Sequence, residues 1–112
     1  MTIVQHSLGD TSVLHLRGRL CAPVDAALRH QVGSLLQRGQ RRLLIDLAGL
    51  SNLDAAGVGE LVCVHNMAAA ANGALRISHA LDNIRNLIAR VGLLGVLGVD
   101  EEHDTRRPSL TR

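Results

Sequence analysis

The chain contains no phenylalanine, tyrosine or tryptophan, and all 12 of its basic residues are arginine, so lysine is missing too. Without aromatic rings there is no platform for stacked nucleobases and no cage for a quaternary ammonium group. Without lysine there is no Schiff-base chemistry and no P-loop lysine. Cysteine is scarce: Cys21 and Cys63 lack CxxC spacing, and reduced, half-buried thiols acting as small hydrophobes are expected. Long apolar runs are also missing, since stretches such as Leu93 to Val99 are far too short to span a bilayer. Met1 to Asp10 is mixed and polar, so no signal peptide and no membrane insertion are expected, and the cytoplasm is the expected location.

Charge excludes a further class. The formal net charge is +2, and the arginines are dispersed apart from Arg41-Arg42 and Arg106-Arg107. A nucleic-acid footprint needs a denser basic stripe, so no DNA or RNA partner is expected. What is present is apolar mass: 46% of the 112 residues are hydrophobic, enough for one packed domain.

The apolar pattern sets an α/β order. Ile3 to Ser7 and Ser12 to Arg17 read as strands joined by the turn Leu8-Gly-Asp-Thr11. Leu14 and Leu16 alternate with Val13, His15 and Arg17, which predicts one buried face. Pro23 suits the first turn of a helix in which Val24, Leu28, Val32, Leu35 and Leu36 recur until Gly39 stops the run. Leu43 to Leu47 reads as a central strand. A second helix is expected from Asp54 or Ala55 to about Ala71, with Val58, Leu61, Val62, His65, Ala68 and Ala69 inward and Asn72-Gly73 as a left-handed cap. Ala74 to Ser78 is a fourth strand. A third helix follows from about Asp82 to Val91, with Ile84, Leu87, Ile88 and Val91 inward, and Leu94 to Val99 is a final strand. Residues 1–99 thus read as a single α/β domain, a mixed sheet of about five strands with three to four helices packed on it. Residues 100–112 are too polar for a core and read as a short cap or mobile tail.

The most informative segment runs from Asp46 to Gly59. A buried strand ends in an acid, a short loop follows, and Asp54 opens a helix of small residues. That layout places a helix N-terminus at the surface, with Asp54 as its N-cap. Gly57 and Gly59 each cost roughly 1 kcal/mol there relative to alanine. A close approach by another backbone, or tight packing within the domain, would justify them.

In these pieces the chain resembles the STAS family, named after sulfate transporters and anti-sigma factor antagonists. The resemblance covers about Ile3 to Val99. It rests on Gly18-Arg-Leu, Leu44-Ile-Asp-Leu, Asp54-Ala-Ala-Gly-Val-Gly, Asn72-Gly-Ala-Leu-Arg-Ile and Val91-Gly-Leu-Leu, in that order. It implies a bacterial regulator of sigma factor signalling whose partner is an anti-sigma factor with a kinase-like ATPase fold. Members of this kind read Asp-Ser-Ser-Gly where this chain reads Asp54-Ala55-Ala56-Gly57, and the second serine is the one phosphorylated. Ala56 is therefore the phosphorylation-site equivalent and has no hydroxyl. Where the family often has an acid after its Gly-x-Leu turn, this chain has Cys21, whose oxidation is an alternative off signal.

The expected function is a non-enzymatic, protein-binding regulator, an anti-sigma factor antagonist not controlled by phosphorylation at the usual position. Its partner-binding rim comprises Gly18, Cys21, Ser51, Asp54, Ala55, Ala56, Gly57 and Gly59. Alternatives are a STAS subunit of a membrane transport complex docking on its cytoplasmic ATPase, or a domain sensing a small molecule or nucleotide at the same helix start. No cofactor is expected. Ser51, His65 and Asp54 form no recognisable catalytic set, and His65 reads as a hydrogen-bonded core histidine. Cys63 and His65 lie on different sides of a helix, and the other histidines are scattered, so no metal site is expected. Ser51 reads as a loop residue, and Ser51 and Ser109 stand as secondary candidates for modification. A homodimer is left open.

Overall fold

The computed structural model describes residues 1–93 and 95. The elements follow the order β1 (Thr2–Leu8), β2 (Thr11–Leu20), α1 (Ala27–Gln37), β3 (Arg42–Leu53), α2 (Ala55–Ala70), β4 (Ala74–Ser78) and α3 (Asp82–Arg90). Among the described residues the sheet has four strands in the order β1-β2-β3-β4, one fewer than expected. The expected fifth strand, Leu94 to Val99, and the polar segment 100–112 lie outside the described residues, apart from Gly95.

β1 and β2 form an antiparallel hairpin in which Leu8 faces Thr11, and Gly9 takes φ +66°, as the first position of a primed two-residue loop requires. β2, β3 and β4 are mutually parallel, as helical crossovers demand. Leu14, Leu16, Leu43, Ile45, Leu47, Leu75 and Ile77 point to one face, where Leu28, Val32 and Leu35 of α1 and Leu61, Val64 and Ala68 of α2 cover them. This is the core.

Four expectations change in detail. Pro23, which follows a cis bond, does not open α1; the helix begins four residues later at Ala27, whose amide the side chain of Asp25 accepts. The inner stripe of α2 is Gly57, Val58, Glu60, Leu61, Val64 and Ala68, while Val62 and His65 are half-buried and Ala69 is exposed. Val91 is 50% exposed because α3 ends at Arg90, and Leu87 is half-buried. The last correction positions the site. β3 does not stop at Leu47 but runs to Leu53, laddered against the end of β2 through two register shifts, one between His15 and Arg17 and one between Gly18 and Arg19. Residues 48–53 look like a loop because bulged strands lose their alternation.

Candidate functional site

The second register shift leaves Ser51 as the extra residue of β3, between Leu50, which pairs with Gly18, and Asn52, which pairs with Arg19. Ser51 is thus a strand residue, not a loop residue. Its exposed hydroxyl lies 3.0 Å from the Gly18 carbonyl and 2.9 Å from Asn52 Oδ1. Gly18 itself sits at φ +99°, with Met1 Cα 3.6 Å from where its Cβ would be. The two bulged strand ends therefore bring Gly18 and Ser51 together at the edge from which α2 starts.

Asp54 then joins three segments. Its Oδ1 accepts the Gly57 amide at 2.9 Å, capping α2, and its Oδ2 accepts the Ala22 amide at 2.9 Å. These amides, Ala22 first and Gly57 next, favour the charged carboxylate and hold its pKa below the ordinary value. The Ala22 bond also fixes Cys21, a half-buried free thiol, one residue from the capping carboxylate. Ala55, Ala56 and Gly59 are exposed, and nothing lies within 4 Å of a Cβ built on Gly59. Gly57 is different. It is buried, and a Cβ there would collide with the Leu20 carbonyl oxygen and lie 2.6 Å from Leu53 Cδ1. Its small size is used inside the domain.

The expected rim residues therefore fall into one neighbourhood, with Gly57 turned inward and the others half-buried or exposed. The side chains they present are small, and Asp54 is the one carboxylate among them. Such a surface suits close approach by another backbone, and its first helical turn carries no hydroxyl or thiol.

Sequence reading misses two clusters. The histidines are not all scattered: His15 Nδ1 lies 2.9 Å from Asp46 Oδ2, His15 Nε2 lies 3.0 Å from His6 Nδ1, and His79 Nδ1 lies 3.8 Å from Asp46 Oδ1. Strand alternation puts positions 6, 15 and 46 on the sheet face away from the core, but only the register makes them neighbours. Among the described residues no group of three or more histidine, cysteine or acidic side chains has a geometry that holds a metal. The second cluster is Arg29 of α1, whose Nε donates to buried Glu60 of α2 at 2.9 Å; that bond raises the arginine pKa. His65 also departs from expectation. Its Nδ1 is buried and has no hydrogen-bond partner among the described residues.

Among the described residues no helix is long and apolar enough to cross a membrane. Residues 3–98 match a family model described as Mlab, STAS domain. No curated protein matches the sequence. Several solved structures share the fold. An anti-sigma factor antagonist from Mycobacterium paratuberculosis superposes with a TM-score of 0.76 at 20% identity, covering 97% of this chain and 86% of that one. The Bacillus cell fate determinant SpoIIAA, in its phosphorylated form, gives 0.67 at 19%, covering 96% of this chain and 100% of that one. A sulfate transporter family protein from Wolinella succinogenes gives 0.64 at 14%, covering 82% and 77%.

Proposed function

The chain belongs to the STAS domain family, and from that premise we propose that it is a non-enzymatic protein-binding regulator, an anti-sigma factor antagonist acting on an anti-sigma factor of kinase-like ATPase fold. One observation carries this reading: the exposed, hydroxyl-free first turn of α2, Ala55 and Ala56, stands on a rigid base built by Asp54, Gly18 and Ser51. The neighbours named as anti-sigma factor antagonists support it. The partner surface consists of Gly18, Cys21, Ser51, Asp54, Ala55, Ala56 and Gly59, with Gly57 holding the turn in place from within.

Because Ala56 has no hydroxyl, the complex is constitutive with respect to phosphorylation at this position. In members that carry serine there, a phosphoryl group adds nearly two negative charges to the contact surface and is expected to oppose binding. The test is capture of partners from native lysate with the tagged chain, with and without ATP. An anti-sigma kinase retained equally in both supports the proposal. Ala56→Ser adds a second arm: the variant is expected to become phosphorylated by that kinase and to lose it when ATP is present.

A second reading has its own support in the transporter-family neighbour. On that reading the chain is a STAS subunit of a membrane transport complex and docks on a cytoplasmic ATPase. Retention of a transporter ATPase, and no anti-sigma kinase, in the same capture would establish it over the first.

A further inference from the structure

We propose that a second copy of this chain pairs with the free edge of β1, joining two four-stranded sheets into one. β1 is the outer strand of the sheet and bonds to β2 alone among the described residues. Its other side presents a row of backbone N–H and C=O groups, which is a template for another strand. Natural edges are blunted by lysine, proline, a bulge or a charged side chain. Thr2-Ile-Val-Gln-His-Ser-Leu8 contains no proline, arginine or acid, and its register with β2 is unbroken from Thr2↔Arg17 to Leu8↔Thr11. Among the described residues the opposite edge is guarded: β4 is five residues long and carries exposed Arg76.

The side chains of β1 point to the same occupant. Val4 and Leu8 lie on the face away from the core and are 48% and 66% exposed. On the core side, Gln5 Oε1 is held by the side-chain amide of Gln31 from α1, so the strand is anchored in place. An apolar row at an unblunted edge calls for a partner strand that is apolar in the same alternation and brings no formal charge to the seam. β1 meets both conditions itself. Antiparallel pairing about a twofold axis sets any strand against its own copy. With the axis at His6, Val4 of each copy lies beside Leu8 of the other, so both exposed apolar residues are covered. The centre of the seam, His6, pairs with Val13 and not with Gly18, so the seam lies away from the rim around Asp54. The inference does not rest on the regulator reading.

Light scattering of the full chain over a micromolar concentration series tests it, with refractive-index detection because tyrosine and tryptophan are lacking. The expected mass rises with concentration from 12.0 kDa to twice that value. Val4→Lys and Leu8→Lys, made separately and checked for native circular dichroism, are expected to raise the dissociation constant at least about tenfold, because each sets an ammonium group against an apolar side chain of the other copy and must be desolvated there. Hydrogen exchange of the β1 amides is expected to slow as the chain is concentrated, in the wild type and not in the variants. A mass of one chain at every concentration overturns the proposal. So does a dimer that both lysine variants leave intact.

Discussion

The Leu20 carbonyl oxygen lies where a β-carbon on Gly57 would have to be. The end of β2 and the first turn of α2 touch backbone to backbone, and a glycine is the residue that permits it. Gly57→Ala is therefore expected to destabilise the fold by about 1–3 kcal/mol, the usual cost of overpacking, since the obstacle is main chain and cannot rotate away. Urea denaturation of the two proteins measures it.

Gly59, two residues on, gives the opposite result. Open space surrounds it, so Gly59→Ala is expected to stabilise α2 by up to about 1 kcal/mol. If the partner lies against this turn, the same variant binds the partner more weakly while unfolding at a higher temperature. Calorimetry and a binding titration on one preparation separate the two effects.

Asp54 ties stability to acid. Its folded-state pKa is held below the unfolded value of 3.8, so its contribution is complete above that value and is lost as pH falls through the folded one. Wild-type stability is expected to fall more steeply than that of Asp54→Asn below pH 3.8, and the two curves run parallel above it. Chemical denaturation across the acid range provides the comparison.

Arg29 and Glu60 predict a non-additive pair. Arg29→Met leaves a buried carboxylate without its donor, whereas Arg29→Met combined with Glu60→Leu removes both polar groups. The double variant is expected to be more stable than the arginine variant alone. A thermal double-mutant cycle shows the coupling.

His65→Leu is expected to raise stability by about 1 kcal/mol, because it removes a buried nitrogen that has no partner among the described residues and keeps a similar volume. Midpoint denaturant concentration with an unchanged slope is the readout.

These features differ in how far the chain alone discloses them. The order of strands and helices, the Asp54 cap and the Asn72-Gly73 stop follow from local chemistry, because each depends on residues within a turn or two. Asn72 does take φ +62°. The bulged end of β3 was not legible, since its pairing partner is β2, thirty residues away, and its own pattern reads as a loop. The same holds for the inward role of Gly57, for the Arg29–Glu60 bond and for the His15–Asp46 contact. Each is a meeting of distant segments whose register no periodicity records. The neighbourhood of Gly18, Cys21, Ser51 and Asp54 could be anticipated only through family resemblance; the hydrogen bonds supply its physical cause.

Ala55 and Ala56 give the start of α2 a single chemical state. A first turn without hydroxyls takes no phosphoryl group, so this part of the proposed contact surface leaves its complex to the law of mass action. In the proposed complex, occupancy is then set by how much of this chain the cell makes, dilutes at division and degrades. The protein would act as a dose, and the timescale of its control would be that of protein turnover.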